Sequence, residues 1–208
     1  MTSNILPNGS HNEYNGALTR EQFLFHEMRV TAKLMAAGLS DSEILTAITR
    51  DNLFQLPTER SVNSLAKCCL KRLHALNDAD LVQAIVQAPS EDAKQICLYA
   101  MMKQNLLVWD FMITVIGEKY RLLDTSFRRM DLNIFFTRLQ EQNDSIAGWS
   151  DQTIQKIKSV LVRVLVENDY LDSNRAERLN PILITPLLEH KIRKTGDIAA
   201  LPAFNCLL

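Results

Sequence analysis

The chain has 208 residues, 47% of them hydrophobic and 23% charged, with a formal net charge of −1. That length and apolar content allow a packed core in one domain or two small ones. The charge balance excludes both a disordered tail and a bulk-basic nucleic-acid protein, so any nucleic-acid contact must come from a local patch of cations.

Residues 1–17 read as a flexible leader, polar, Asn-rich and without the charged and apolar regions of a signal peptide. Thr19 with Gln22 predicts a capping box for a helix to Ala37, with Leu24, Met28, Thr31 and Met35 inward and Gly38 ending it. Ser40 with Glu43 predicts a second capping box and a short helix to Arg50. Residues 51–57 form a connector whose apolar side chains plug the core. Thr58 caps a third helix through Leu76, whose apolar face is Val62, Leu65, Ala66, Cys69, Leu70, Leu73 and Leu76. Its other face carries Arg60, Asn63, Ser64, Lys67, Lys71 and His74. A short helix, a connector and a basic amphipathic helix are the parts of a helix-turn-helix-like unit, here with a connector longer than the usual tight turn.

Asn77-Asp78 opens a fourth helix that stops at Ala88-Pro89, and Ser90 with Glu91-Asp92 opens the next. The apolar tract from Ile96 to Ile116 invites a membrane reading, but Lys103, Gln104, Asn105 and Asp110 interrupt it. A central Lys or Asp costs about 2.5–3.5 kcal/mol on insertion, so two buried helices meeting near Gln104-Asn105 are expected instead. Thr125 to Met130 reads as a connection and Asp131 as the cap of a helix to Gln142, followed by loop residues to Gly148. Trp149-Ser150-Asp151-Gln152-Thr153 opens a capped helix with the apolar stripe Ile154, Ile157, Val160, Leu161, Val164 and Leu165. Asn168 to Asp172 breaks it, and Pro181-Ile182-Leu183-Ile184 reads as a return strand, the order found in a winged helix. A helix over Pro186–Lys194 and a coil tail complete the chain. The expected fold is mostly α, with compact helical domains, helix-turn-helix-like units and a small wing-like C-terminal β-hairpin. The expected divisions are a leader (1–17), an N-terminal helical domain (18–88), a C-terminal helical domain with a winged end (89–195) and a tail (196–208).

Enzyme signatures are missing from the chain. His11, His26, His74 and His190 have no metal-binding spacing, and there is no Gly-rich phosphate loop, Gly-x-Ser-x-Gly elbow or kinase signature. Cys68, Cys69, Cys97 and Cys206 form no Cys-x-x-Cys pair and read as reduced, mostly core thiols of a cytosolic protein. Asp110 and Glu118, eight apart, could share a helical face as an acid pair, or serve as caps and Arg partners. No catalytic residue, metal or cofactor is expected.

Three polar or basic patches remain. Gln152, Thr153, Gln155, Lys156, Ser159 and Arg163 line the polar face of the helix after Trp149, and such side chains reach base edges and phosphates. An ordinary solvated face carries the same residue types. Arg60, Asn63, Lys67 and Lys71 form a second stripe. Lys119, Arg121, Arg128, Arg129 and Arg138, set against Asp124 and Asp131, form a third, which intramolecular ion pairs would equally explain. Phe135-Phe136 reads as core with one ring available to a partner surface.

Several of these runs resemble one family. Gly38-Leu39-Ser40, Ile48-x-x-Asp51-Asn52-Leu53-Phe54-Gln55, Arg60-Ser61 and Lys71-Arg72-Leu73 are similar to the N-terminal half of BrxA proteins, the small accessory proteins of bacteriophage exclusion (BREX) systems. Asp110-Phe111-x-x-x-Val115-Ile116-x-Glu118-Lys119 resembles their middle. Trp149-Ser150-x-x-Thr153-x-x-Lys156 with Val166-Glu167-Asn168-Asp169-Tyr170-Leu171 resembles their C-terminal helix and turn, so the resemblance spans residues 17–193. It implies a cytosolic, all-helical, non-catalytic DNA-binding component of anti-phage defence. Implied partners are double-stranded DNA, a DNA methyltransferase, an alkaline-phosphatase-like protein and an ATPase. It also implies a likeness to the NusB fold, which makes RNA an alternative ligand. A protein-interaction adaptor that assembles the defence complex is the other reading. The family carries over no DNA-contacting residue, so the expected DNA-binding set is Arg60, Asn63, Lys67, Lys71, Arg128, Arg129, Gln152, Gln155, Lys156, Ser159 and Arg163.

Overall fold

The computed structural model describes residues 13–206. Their regular elements are all helical, and they group into two units, Phe23–Gln104 on one hand and the residues up to Gln22 with those from Asn105 onward on the other.

Five helices build the unit Phe23–Gln104: α1 (Phe25–Ala36), α2 (Asp41–Arg50), α3 (Glu59–Leu76), α4 (Ala79–Gln87) and α5 (Ser90–Gln104). Local signals set most of the ends. The Ser40 hydroxyl accepts from the Glu43 N–H while the Glu43 carboxylate takes the Ser40 N–H at 2.8 Å, closing the capping box. Thr58 and Asp78 cap α3 and α4 by a single bond each, accepting from the Ser61 and Leu81 N–H groups, and Gly38 lies past the end of α1 with φ +85°. Helix α3 packs against α1, α2 and α5, burying Val62, Ala66, Cys69, Leu70, Leu73 and Leu76. Phe54 in the connector is buried, as its plugging role requires.

The expected Thr19–Gln22 capping box does not form. Asn15 caps a 3-10 turn over Gly16–Thr19, the Thr19 hydroxyl donates to the Gly16 carbonyl, and α1 begins only at Phe25. Tertiary contacts override the local signal: Phe23 is buried and stacked on Phe25, and its carbonyl accepts from the buried Arg72 guanidinium at 2.8 Å. An early helix would withdraw that carbonyl from Arg72.

In the other unit, Asn105 caps α6 (Leu106–Phe111) by accepting from the Leu107 and Val108 N–H groups. A π-helical turn (Met112–Gly117) leads into α7 (Glu118–Arg121). Then come α8 (Arg129–Gln142), α9 (Asp144–Ala147), α10 (Asp151–Glu167) and α11 (Pro186–Thr195). Phe111, Phe127, Phe135 and Phe136 form an edge-to-face aromatic core. Helix α10 buries the stripe its periodicity predicts, Ile154, Ile157, Val160, Leu161, Val164 and Leu165. No helix among the described residues is long and apolar enough to cross a membrane.

Two expectations for the C-terminal part are corrected. The wing-like β-hairpin is not present: the described residues contain no strand, and residues 180–185 carry no ladder. Pro181 has no N–H to give, the Asn180 N–H is taken by the Tyr170 carbonyl, and the Ile182 carbonyl accepts from the Asn205 side chain. The apolar run satisfies its backbone one group at a time, with Leu183 facing solvent. The β-like pairing lies instead at an isolated antiparallel bridge, Ser126 with Arg178. The tail is not coil but a 3-10 helix, Ile198–Phe204, with Ala200 to Phe204 buried. It packs on the π-helical turn because Gly117 has no side chain: a Cβ there would lie 3.2 Å from the Ala203 nitrogen.

Candidate nucleic-acid interface

The expected contact residues fall into both units. Arg60, Asn63, Lys67 and Lys71 belong to α3, while Arg128, Arg129 and the α10 residues belong to the other unit. On α3, burying Val62, Ala66, Cys69 and Leu73 turns the opposite face to solvent. Arg60, Lys67 and Lys71 are exposed, Asn63 is half-buried, and Glu59, Arg60, Asn63, Ser64 and Lys67 line a surface depression. None of the three cations has a hydrogen-bond or ion-pair partner among the described residues. His74, next on that side, is engaged with Asp41 at 2.9 Å.

On α10, Gln152, Gln155, Lys156, Ser159 and Arg163 are all exposed at helical spacing. Their freedom differs. The Ser159 hydroxyl donates to the Gln155 carbonyl and the Arg163 guanidinium to the Gln22 side chain, whereas Lys156 has no partner among the described residues. Lys158 turns inward, donating to Asn133 of α8 at 2.9 Å and lying over the Phe136 ring. Burial lowers its ammonium pKa.

The third patch is largely spent on its own acids. Lys119 bridges Asp124 and Asp131 at 3.0 and 3.1 Å. Burial alone would lower its pKa, but the two carboxylates more than offset this and raise it. Arg121 pairs with Glu118, and Arg138 donates to the Thr114 hydroxyl while covering the Phe135 ring. Arg128 and Arg129, at the start of α8, are exposed with unpartnered guanidinium groups among the described residues.

Asp110 and Glu118 do not form an acid pair. The Tyr14 hydroxyl donates to Asp110, while Glu118 pairs with Arg121. The π-helical turn between them breaks the 3.6-residue period on which a shared face depended. Burial raises the Asp110 carboxyl above its ordinary range, against the opposing pull of Tyr14 and Arg138. Cys68, Cys69 and Cys97 are buried and in no disulfide among the described residues, and burial pushes Cys97 up to about 12. Among the described residues no three His, Cys, Asp or Glu side chains converge as a metal site.

Sequence reasoning missed the exposed apolar side chains Leu122, Leu123, Met130 and Ile134, of which Leu122 and Ile134 line one groove. Ile134 lies out of phase with the buried Leu132, Phe135, Phe136 and Leu139, which was the available signal.

A family model described as BrxA matches residues 12–196. The chain is 34% identical over 186 residues to the BREX protein BrxA of Bacillus cereus, covering 88% of this chain and 92% of that one. It is 23% identical over 182 residues to the BREX protein BrxA of Escherichia coli, covering 88% and 85%. In fold it is similar to the crystal structure of an uncharacterized protein from Magnetospirillum magneticum, with a TM-score of 0.77 and 21% identity over 92% of this chain and 97% of that one.

Proposed function

This chain belongs to the BrxA family, and on that premise we propose that it is a non-catalytic, cytosolic accessory component of a BREX anti-phage system that holds double-stranded DNA by its phosphate backbone. The observation that carries the reading is the α3 stripe. Arg60, Lys67 and Lys71 stand exposed and, among the described residues, unpaired on one helix face of a chain whose net charge is −1. Elsewhere Lys119, Arg121 and Arg193 are held in ion pairs. Leaving cations unpaired together costs mutual repulsion, which a polyanion relieves. Lys156 on α10 is the second phosphate contact, with Gln152 and Gln155 beside it. Near-neutral overall charge suits a site that works within an assembly with a methyltransferase, a phosphatase-like protein and an ATPase, where effective concentration adds to modest affinity.

The test is a titration of labelled duplex DNA with the full chain at about 50 and about 200 mM salt, across which phosphate-dominated binding weakens steeply. Lys67→Glu with Lys71→Glu is expected to weaken binding at least tenfold and to flatten the salt slope by about 2, since each phosphate contact contributes about 0.9. No binding at low salt would overturn the reading, and tighter binding to structured or single-stranded RNA would replace DNA with RNA.

A further inference from the structure

The groove between the π-helical turn and α8 is lined by Thr114, Val115, Leu122, Ile134, Phe135 and Arg138. Two of its lining residues are large exposed apolar side chains, Leu122 at 75% and Ile134 at 61%, and Leu123, next in the chain to Leu122, and Met130, one turn before Ile134 on α8, are exposed at 81% and 61%. Met130 and Ile134 are neighbours one turn apart on α8. A contiguous exposed apolar patch rimmed by charge marks an interaction surface.

The backbone at Leu123 says more. The Leu123 N–H bonds the Tyr120 carbonyl and the Asp124 N–H the Lys119 carbonyl, the pattern of a Schellman motif, and Leu123 sits at its left-handed position with φ 55°. Glycine fits that position without strain, whereas leucine is strained there. The side chain gains no packing in return, because it faces water. Neither helix termination nor core packing accounts for a leucine at this place.

Charge narrows the occupant. The acids at the groove are all engaged, Glu118 with Arg121 and both Asp124 and Asp131 with Lys119. Among the described residues, the guanidinium groups without partners at this end of α8 are those of Arg128 and Arg129. The surplus charge beside the apolar patch is therefore positive.

We propose that this groove docks an amphipathic helix of a partner protein, its apolar stripe entering between Leu122 and Ile134 and its flanking carboxylates meeting Arg128 and Arg129. The proposal stands independently of DNA binding by α3 and Lys156.

The test is fluorescence anisotropy of the full chain with three synthetic helical peptides. One has leucines at i, i+3, i+4 and i+7 flanked by glutamates, one has the same stripe flanked by lysines, and one is a scramble of the first. The glutamate-flanked peptide is expected to bind at least tenfold more tightly than the other two. Leu122→Ser with Ile134→Ser should abolish that binding while duplex-DNA affinity stays within twofold. Leu123→Gly should raise Tm yet weaken the peptide at least threefold. Arg128→Glu with Arg129→Glu should invert the preference between the charged peptides. Equal binding of the three peptides, or wild-type peptide binding by the serine variant, overturns the proposal. Concentration-dependent dimerisation of the wild type that the serine variant loses also overturns it, assigning the groove to a second copy. Loss of DNA affinity in the serine variant overturns it in favour of DNA.

Discussion

The Arg163 guanidinium donates to the Gln22 side-chain oxygen at 2.7 Å, tying the solvent face of α10 to a residue 141 positions earlier in the chain. Lys156, two turns nearer the start of the same face, has no such tie among the described residues. Arg163 has an intramolecular acceptor to lose before it meets a phosphate, and Lys156 does not. Lys156→Ala is therefore expected to weaken duplex-DNA binding about threefold or more, while Arg163→Ala changes it less than twofold. Loss of the exposed Arg163 bond should cost roughly 0.5–1 kcal/mol of stability. DNA titration and urea unfolding on the two variants separate these effects, and a larger binding loss from Arg163→Ala would reverse the assignment.

Arg72 should be the most sensitive cation for folding. It is buried in α3, with its guanidinium donating to the Phe23 carbonyl. Arg72→Met keeps much of the volume but leaves that carbonyl without its donor, which costs about 1–3 kcal/mol. The expected result is a clear fall in the urea midpoint, against almost no change for Lys71→Met on the exposed side of the same helix.

Gly117→Ala tests the tail contact. In a plain helix the exchange favours folding by about 1 kcal/mol. Here the new methyl group would meet the Ala203 nitrogen at 3.2 Å and the Pro202 side chain at 3.3 Å. Overpacking of this kind costs about 1–3 kcal/mol, so Tm should fall. A rise in Tm would show that the 3-10 helix yields easily.

Asp124 gives a pH signature. Hydrogen bonds from the Ser126 hydroxyl, from Lys119 and from the Ser126 N–H lower its carboxyl to about 2. Its unfolded value is about 3.9, so the folded form binds the proton less readily. Its contribution is present above about pH 4 and is lost as pH falls toward about 2. Asp124→Asn should therefore flatten the decline of stability across that window, by an amount kept small by the carboxylate's exposure. Denaturant midpoints at several pH values measure it, and an unchanged slope would remove Asp124 from the acid response.

Much of the candidate site was legible because helix stripes are local. The cap Ser150 and the apolar period from Ile154 to Leu165 fix which side of α10 faces water, and hence where Gln152, Gln155 and Lys156 point. The same holds for Thr58 and the α3 face. Which cations stay free was not legible. Arg138, Lys158 and Arg163 have the composition of a binding patch, yet each is held by a residue distant in sequence, Thr114, Asn133 and Gln22.

The sequence by itself determined a helical chain, its principal caps and the solvent faces of α3 and α10, since side-chain period and capping chemistry act over a single turn or two. The tertiary structure alone decided the rest. It delayed α1 so that Phe23 could meet Arg72, replaced the expected wing with single hydrogen bonds, and folded the tail against Gly117. It also set Leu122 and Ile134 in one groove and left Leu123 and Met130 exposed to water. Each of these outcomes depends on which distant groups satisfy a backbone polar atom or fill a gap, a competition that no local window of residues contains.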